Sequence, residues 1–322
     1  MLTHGYLSNF DYGLWCDKCE GASNDEFTRS ANMNKELRAN TVNVEKVSVH
    51  GGHSGQFCQH AHDDLKSIIN AYITQGFKWV GITEHIPPLS DAMRYPDEVE
   101  AGLNAAFLQE RFAEYFRLGR ELQKKYSDQI EILLAFEIET YAGSVEYIHE
   151  LINRYQPDYL VGSLHHVDGI GIDYNREHYH QALAKAGSIE QLYCHYFDAQ
   201  FAMLQEFCPA VVAHFDLIRI FDPNYLSTLS SPKVAERVER NLDFIASNEL
   251  IMDFNLRGFD KTLEQYPSLP VLKKALARQI AVVPGDDSHG VSSVGRNYEQ
   301  GLAVLANLDA PVAWKKPALI RY

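Results

Sequence analysis

Cysteine is scarce in this 322-residue chain: five residues, an odd number scattered along its length. Such usage does not read as a disulfide framework and fits a reducing compartment. Cys16 and Cys19 form an isolated Trp15-Cys16-Asp17-Lys18-Cys19 stretch. With no strand before it and no second pair to complete a zinc site, it reads as part of a polar N-terminal segment rather than a redox motif. Long apolar runs are missing as well. The segment Ile130 to Phe136, interrupted by Glu131, falls far short of the roughly 20 residues needed to cross a bilayer, so no membrane span is expected. Met1 to Phe10 lack the basic start and apolar stretch of a secretory signal, which makes the cytoplasm the expected compartment. Positive charge is in deficit: 29 Lys and Arg against 43 Asp and Glu give a formal net charge of -14. Extended nucleic acid is therefore not an expected partner, because its binding depends on cations that neutralise phosphates.

What is present is ordinary globular usage, 46% hydrophobic and 22% charged, enough to bury a full core. Residues 1–40 are rich in Asn, Ser, Gly and charge without sustained periodicity. They are expected to form a peripheral appendage, with translation from Met33 as an alternative account. The folded unit is expected to span residues 41–322. There, short apolar runs alternate with helical patterns, the signature of repeated βα units around a parallel sheet or barrel. Strands are expected at Lys46 to Val49, Trp79 to Thr83, Glu131 to Phe136, Tyr159 to Gly162, Val211 to His214, Ile251 to Asn255 and Ala281 to Pro284. Helices are expected at Asp63 to Gln75, Ala105 to Tyr126, Val145 to Tyr155, Ser188 to Phe207, Pro232 to Asn248 and Leu269 to Arg278. Ser188 with Gln191, and Ser231 with Pro232, are helix-start signals. Seven strands separated by helices suggest an α/β barrel.

The chain holds 14 histidines, and the informative ones stand at the ends of the expected strands. In α/β barrels the loops at those carboxyl ends converge on the site. Reading each strand to its end gives His50 and His53, then Glu84 and His85, Glu137, His165 and His166, His214, and finally Asp287 and His289. A lone histidine beside a strand is more often a packed or surface group than a ligand. That reading weakens when all strand ends but one supply an imidazole or carboxylate. Such donors suit zinc, iron(II) or manganese, with enough of them for more than one ion. His62, His149, His178, His180 and His195 fall on helices or polar loops and are expected at the surface. His166 and Asp286 are expected to support their neighbours, and Glu84 to orient a histidine or the nucleophile.

The segments His53-Ser54-Gly55-Gln56-Phe57-Cys58-Gln59-His60, Gly81-Ile82-Thr83-Glu84-His85-Ile86-Pro87, Gly162-Ser163-Leu164-His165-His166, Ala213-His214-Phe215-Asp216 and Gly285-Asp286-Asp287-Ser288-His289 occur in that order. Asp253-Phe254-Asn255, Gly258 and Tyr266-Pro267 add to the pattern. In order and spacing, over about residues 45–305, the chain resembles the histidinol-phosphate phosphatases of the polymerase-and-histidinol-phosphatase (PHP) family. The resemblance implies a distorted (β/α)7 TIM-like barrel with three metal ions at the carboxyl ends of the strands. Carried over by position, His50, His53 and Asp287 would hold the first ion and Glu137 would bridge the first and second. His165 and His214 would complete the second, and His60, His85 and His289 would hold the third. Glu137, Asp287 and His289 are the implied catalytic residues. Glu139 competes with Glu137 for the bridge, since alternate strand residues face the same way. One departure is His50-Gly51-Gly52-His53, where the family opens with His-x-His. A bulge at the two glycines would restore a common direction; otherwise the first ion is weakly held or absent.

The implied reaction is hydrolysis of a small phosphate monoester, with L-histidinol phosphate, cleaved to L-histidinol and phosphate in histidine biosynthesis, the leading substrate. Divalent ions suit the task because coordination lowers the pKa of water toward ~7 and neutralises phosphate oxygens. A phosphate head calls for a guanidinium fork, and Arg94, Arg219 and Arg257 follow strand ends or motifs. Arg257 stands where the family more often has a small hydroxyl residue. The alternatives are a phosphoesterase for a nucleotide or sugar phosphate and a noncatalytic metal-binding protein on the same scaffold. The sequence leaves the oligomeric state open.

Overall fold

The structure, a computed structural model, describes residues 44–322. The expectations for residues 1–40, for Cys16 and Cys19 and for Met33 lie outside the described residues. The chain runs through β1 (Lys46–Gly51), α1 (Leu65–Thr74), β2 (Phe77–Ile82), α2 (Pro96–Glu100) and α3 (Ala105–Lys125) to two consecutive strands, β3 (Glu131–Leu134) and β4 (Phe136–Glu139). It continues with α4 (Ser144–Tyr155), β5 (Leu160–Ser163), the short β6 (His166–Val167) and β7 (Ile170–Gly171), α5 (Arg176–Ala186), α6 (Ile189–Phe207) and β8 (Val211–Val212). The last third holds α7 (Tyr225–Ser230), α8 (Pro232–Ser247), β9 (Ile251–Asn255), α9 (Gly258–Thr262), α10 (Leu269–Ala277), β10 (Ala281–Gly285) and α11 (Tyr298–Ala306).

Local chemistry sets the helix starts. Asp64 accepts from Ser67 N at 2.7 Å, Asn104 from Phe107 N at 2.8 Å and Ser188 from Gln191 N at 3.1 Å. Each satisfies a backbone donor that the first turn leaves without a partner. Pro232 opens α8, where its missing N–H costs nothing. The six expected helices are all present, within two residues of their expected ends. Helices α2, α5, α7, α9 and α11 and the β6–β7 hairpin were not foreseen.

The strands form a three-stranded sheet in the order β1-β2-β3 and a five-stranded sheet in the order β10-β9-β8-β5-β4, both parallel, with β6 and β7 as a separate antiparallel pair. The strand expected over Glu131 to Phe136 breaks at Ala135, and the break passes the chain from the first sheet to the second. Ala135 N donates to Ile82 O at 2.9 Å and Glu137 N to Glu84 O at 3.0 Å across this seam. At the opposite edges no ladder joins β10 to β1. Instead Asp287 N donates to His50 O at 2.9 Å, and Ser48 Oγ donates to Asp286 Oδ1 at 2.6 Å. The observed architecture is therefore α/β with two parallel sheets that meet without a continuous hydrogen-bonded cylinder.

Alternation along the strands divides the core in two. Val47, Val49, Trp79, Leu133, Tyr159, Val161, Val211, Ile251 and Val283 come from both sheets and meet in one buried cluster. Their neighbours, among them Val80, Leu134, Leu160, Met252 and Val282, belong to a larger cluster shared with the helices. Tyr159 ties the first cluster to β1 by donating to Val49 O at 2.6 Å. Both sheets thus share one interior, and the carboxyl ends of their parallel strands are held around it. Among the described residues no helix is long and apolar enough to cross a membrane, and Cys58, Cys194 and Cys208 are free thiols.

Gly81 lies against this interior: a Cβ there would stand 1.7 Å from Tyr159 Oη and 3.1 Å from Val49 O. Gly81→Ala is expected to lower stability by about 1–3 kcal/mol through overpacking, read as a lower urea midpoint. An unchanged midpoint would contradict the close packing of β2 on Tyr159.

Candidate metal centre

Within β1 the pairing register shifts between Ser48 and Gly51, an irregularity that falls just before the two glycines of His50-Gly51-Gly52-His53 and not at them. Only glycine fits there. A Cβ on Gly51 would meet Gly81 O at 2.4 Å, and one on Gly52 would meet Ile68 Cγ2 at 2.5 Å. Gly52 N donates to Tyr72 Oη at 2.9 Å, fixing the turn. As a result His50 and His53, both fully buried, stand with ring centroids 5.8 Å apart and face the same carboxylate.

That carboxylate is Glu137, on β4 and 1% exposed. Its Oε1 lies 3.2 Å from His165 Nε2 and 3.0 Å from His214 Nε2. Its Oε2 lies 3.2 Å from His85 Nδ1, 3.4 Å from His50 Nε2 and 3.8 Å from His53 Nε2. Glu139, the competing residue, points the same way and lies 3.1 Å from His85 Nδ1. Asp287 Oδ1 lies 3.4 Å from His53 Nε2 and 3.5 Å from His289 Nδ1. His289 stacks on His53 with centroids 4.4 Å apart, and on His60 at 5.0 Å. His60 is the most exposed of the set; its Nδ1 lies 3.3 Å from Asp97 Oδ2. All nine expected ligand candidates therefore gather at one place. His214 and Asp287 enter it through positive φ angles, 23° and 44°, a costly backbone conformation for residues other than glycine.

Cys58 was missed as a donor. Its Sγ lies 3.3 Å from His60 Nε2, and it groups with His53, His85 and His289. Nothing in a single Phe57-Cys58-Gln59 stretch marks it as anything but a small buried residue. Asp253 was seen only as part of a motif; it lies 2.9 Å from His50 Nδ1 and so turns Nε2 toward Glu137. Asn255 holds Asp253 Oδ2 and Asp287 Oδ2 at 3.0 and 3.1 Å. Glu84 accepts from Ser54 N and Ser54 Oγ, both at 2.8 Å.

Of the three arginines only Arg257 faces the centre, with Nη1 3.3 Å from Asp287 Oδ1 and 2.7 Å from His289 Nε2. Arg94 is turned away and bonds the carbonyls of Asp91 and Leu103 at 2.8 and 2.5 Å. Arg219 is buried behind the centre, 4.4 Å from the Tyr266 ring centroid, and bonds Gln265 O at 2.6 Å. The expectation that these two meet a phosphate is corrected: their guanidinium groups are occupied by loop carbonyls and a ring. Lys261, on α9, joins Arg257 in the wall of a cavity of ≈ 320 Å³ over the centre. Tyr95, Asp97, Asp173, Tyr174 and Tyr266 also line it. Of the five histidines expected at the surface, His62, His149 and His180 are exposed, whereas His178 and His195 are half-buried. None of the five lines this cavity.

Burial opposes charge throughout the centre, and neighbouring groups decide where charge persists. At Glu137 burial is outweighed by His50, His85 and His165, which hold the carboxyl well below its usual range. Arg257, His50 and His289 do the same for Asp287. His165 is pushed up to about 10 because Asp173, Glu137 and Glu139 overcome burial. His50 is raised well above an ordinary imidazole by Glu137 and Asp287, again against burial. Burial and His85 lower His53, while burial and Arg257 lower His289. Burial pushes Glu84 up to about 7.

His50 Nε2, both ring nitrogens of His53, His85 Nδ1 and Glu139 Oε1 are buried without a hydrogen-bond partner. Each such atom costs about 1–3 kcal/mol, and here they converge instead of being dispersed. Four overlapping groups place ligand atoms within 4.8 Å of one another: His50, His53 and Glu137; His50, His214 and Asp287; His85, Glu137 and His165; and His53, Cys58, His85 and His289. Imidazole nitrogens with carboxylate oxygens form a donor set for divalent transition-metal ions, and the residues present fit them.

The family model described as PHP domain matches residues 51–257. His50, Asp287 and His289 fall outside that match, yet the fold brings them to it. The chain is 37% identical over 257 residues to a Schizosaccharomyces pombe protein named probable histidinol-phosphatase, covering 78% of this chain and 83% of the relative. It is 29% identical over 288 residues to the histidinol-phosphatase of Saccharomyces cerevisiae, covering 78% and 85%. The crystal structure of a histidinol-phosphatase candidate from Listeria monocytogenes superposes with a TM-score of 0.69 at 27% identity, covering 79% of this chain and 99% of that one.

Because neighbouring carboxylates raise the rings of His50 and His165, an arriving cation must displace their protons. Titrating metal-stripped protein with zinc in two buffers of different ionisation heat is expected to show net proton release at pH 7. Apparent affinity should rise between pH 6 and 8. Binding without proton release would contradict imidazole coordination.

Proposed function

The chain belongs to the PHP-domain family, and from that premise we propose that it is a metal-dependent phosphatase hydrolysing L-histidinol phosphate to L-histidinol and phosphate. One observation carries the reading: a buried carboxylate, Glu137, ringed by imidazoles at the floor of a cavity whose wall bears Arg257 and Lys261. Floor and wall together offer divalent-cation donors beside fixed cations, the pairing that a dianionic phosphate requires. The names of the yeast relatives support histidinol phosphate among the monoesters.

Three ions are proposed. His50, His53 and Asp287 would hold the first, His165 and His214 the second, and His60, His85 and His289 the third, with Glu137 a shared ligand of the first two. Zinc, manganese and iron(II) all suit nitrogen and carboxylate donors; Cys58 beside the outer group favours zinc over manganese. Divalent ions at this centre would supply Lewis acidity and an activated water near neutral pH. The chain's own residues do the rest. Glu137 keeps its negative charge and faces five rings, Asp253 fixes the tautomer and direction of His50, and Arg257 with Lys261 receives the phosphate oxygens. Glu84, with its raised pKa, is placed to hold a proton beside His53, 3.8 Å away. Asp287 and His289 join Glu137 as catalytic residues.

In this reading residues 41–322 are the catalytic unit. The two parallel sheets act as a distorted seven-stranded barrel, the β3–β4 pair counting as one strand. A cytoplasmic location fits the free thiols. Arg257, in place of a small hydroxyl residue, is the one feature that favours another monoester, such as a nucleotide or sugar phosphate.

The test is phosphate release from histidinol phosphate against a panel of nucleotides and sugar phosphates, before and after chelation. Chelator-sensitive turnover with the highest kcat/KM on histidinol phosphate is expected; preference for another monoester would refute the substrate. Glu137→Gln is expected to lose about 100-fold or more in kcat together with part of the bound metal. Full activity in that variant would contradict the bridging role. Arg257→Ala is expected to raise KM for any phosphate monoester by about ten-fold or more; an unchanged KM would remove Arg257 from phosphate binding.

A further inference from the structure

The ligand candidates of the centre are unevenly anchored. His50 stands near the end of β1 and His53 on the turn after it, while Asp287 and His289 stand on the turn after β10. These two strands are the sheet edges that no ladder joins. Backbone bonds tie the turns to each other, from His53 N to Ser288 O at 2.7 Å and from Asp287 N to His50 O at 2.9 Å. Behind both lies Tyr72, fully buried on α1. Its hydroxyl donates to Asp286 Oδ1 at 2.8 Å. With that proton committed, it accepts from Gly52 N and from Ser288 Oγ, each at 2.9 Å. A phenol has one proton and two acceptor sites, so the whole capacity of this hydroxyl is spent on the two turns. Ser48 Oγ and Gly295 N donate to the same Asp286 carboxylate at 2.6 and 2.8 Å. The glycines make room for the arrangement: a Cβ on Gly51 would stand 3.0 Å from Tyr72 Oη, and one on Gly52 3.5 Å from Ser288 Oγ.

Resting on the reading of His50, His53 and Asp287 as holders of one ion, we propose that Tyr72 is a positioning residue of the metal centre. Through Gly52, Asp286 and Ser288 its hydroxyl sets the distance between the two halves of that ligand set. Two imidazoles come with one edge and the carboxylate with the other, so an error across this seam becomes an error in ligand geometry. The other ligands are anchored differently. His85 and Glu137 face each other across a backbone bridge, and His165 and His214 follow β5 and β8, which pair within one sheet. The third set draws only His289 from the seam. Losing the hydroxyl leaves Gly52 N–H without its partner and Asp286 short of a donor, both in a buried place, and the strain falls on the first ion.

The experiment compares wild type, Tyr72→Phe and Tyr193→Phe as zinc-loaded full-length protein. Tyr193 is the control: its hydroxyl, also fully buried, donates to the buried carboxylate of Asp222 at 2.9 Å, and it belongs to neither turn. Zinc retained per chain is measured against rising chelator, with turnover of p-nitrophenyl phosphate followed alongside. Tyr72→Phe is expected to release one ion at a chelator concentration about ten-fold below that needed for wild type, with kcat falling in step and restored by added zinc. Tyr193→Phe is expected to release zinc as wild type does. Ser288→Ala, which removes one partner of the hydroxyl, is expected to shift the same ion in the same direction by a smaller factor. In an Asp287→Ala background, where that ion has already lost its carboxylate, Tyr72→Phe is expected to change the retention of the remaining zinc no further. Wild-type retention in Tyr72→Phe, earlier release of every ion alike, equally early release from Tyr193→Phe, or a kcat loss that added zinc does not restore would each overturn the assignment. The underlying reading fails separately: a wild type that holds no zinc, or an Asp287→Ala variant that holds as much as wild type, refutes the ligand set whatever Tyr72→Phe does.

Discussion

A carboxylate with 1% of its surface exposed cannot keep its charge unless something positive stands against it, and Glu137 is ringed by imidazoles for that purpose. The imidazoles are themselves buried, so they cannot all be protonated: rings that share one cavity repel when charged. The result is a split population, with His50 and His165 raised and His53 and His289 lowered. Lowered rings retain lone pairs at neutral pH, which is what a cation needs from a ligand. Raised rings hold protons that a cation replaces. The same constraint therefore explains both why Glu137 stays ionised and why the centre suits divalent ions.

The backbone is shaped to meet that constraint. Ala135 breaks a strand so that Glu137 follows on the second sheet while still bonded to Glu84 of the first. The register of β1 shifts ahead of two closely packed glycines, and His50 and His53 face the same carboxylate. His214 and Asp287 accept positive φ to point inward. Each is locally unfavourable, of the order of 1–3 kcal/mol for a strained residue. They persist because the apolar cluster shared by both sheets, with Tyr159 at its middle, fixes the strands beneath them.

Much of this was legible in the residues, for identifiable reasons. Strand ends carrying His50, His85, His165, His214 and His289 announce themselves because parallel strands all end on one side, so a chemical pattern repeated at those ends is a spatial cluster. The helix start at Ser188 depends on Gln191, three positions away, the range a sequence displays best. What escaped depends on distant partners. Arg94 and Arg219 follow motifs as Arg257 does, but only the fold decides that two of them bond loop carbonyls while the third meets Asp287. Lys261 and Asp173 sit on segments with no pattern of their own, and the cavity that gives them meaning is built by other elements. The break at Ala135 was hidden inside a run of apolar residues that reads as one strand.

The acidic composition, which first argued against nucleic acid, also bears on how the centre meets phosphate. Its floor carries Glu137 and Asp287, with Glu139 and Asp253 buried nearby, and among the described residues the lysines and arginines of its wall are Arg257 and Lys261. Lys261 is itself lowered, by burial and by Arg257 beside it, so crowding the two cations weakens the second. Fixed side chains alone therefore leave the cavity short of positive charge, and a phosphate dianion would meet more repulsion than attraction there. Divalent ions on the donor groups reverse that balance at the floor. Arg257 and Lys261 would then have a narrower task than neutralising phosphate, which is to orient it.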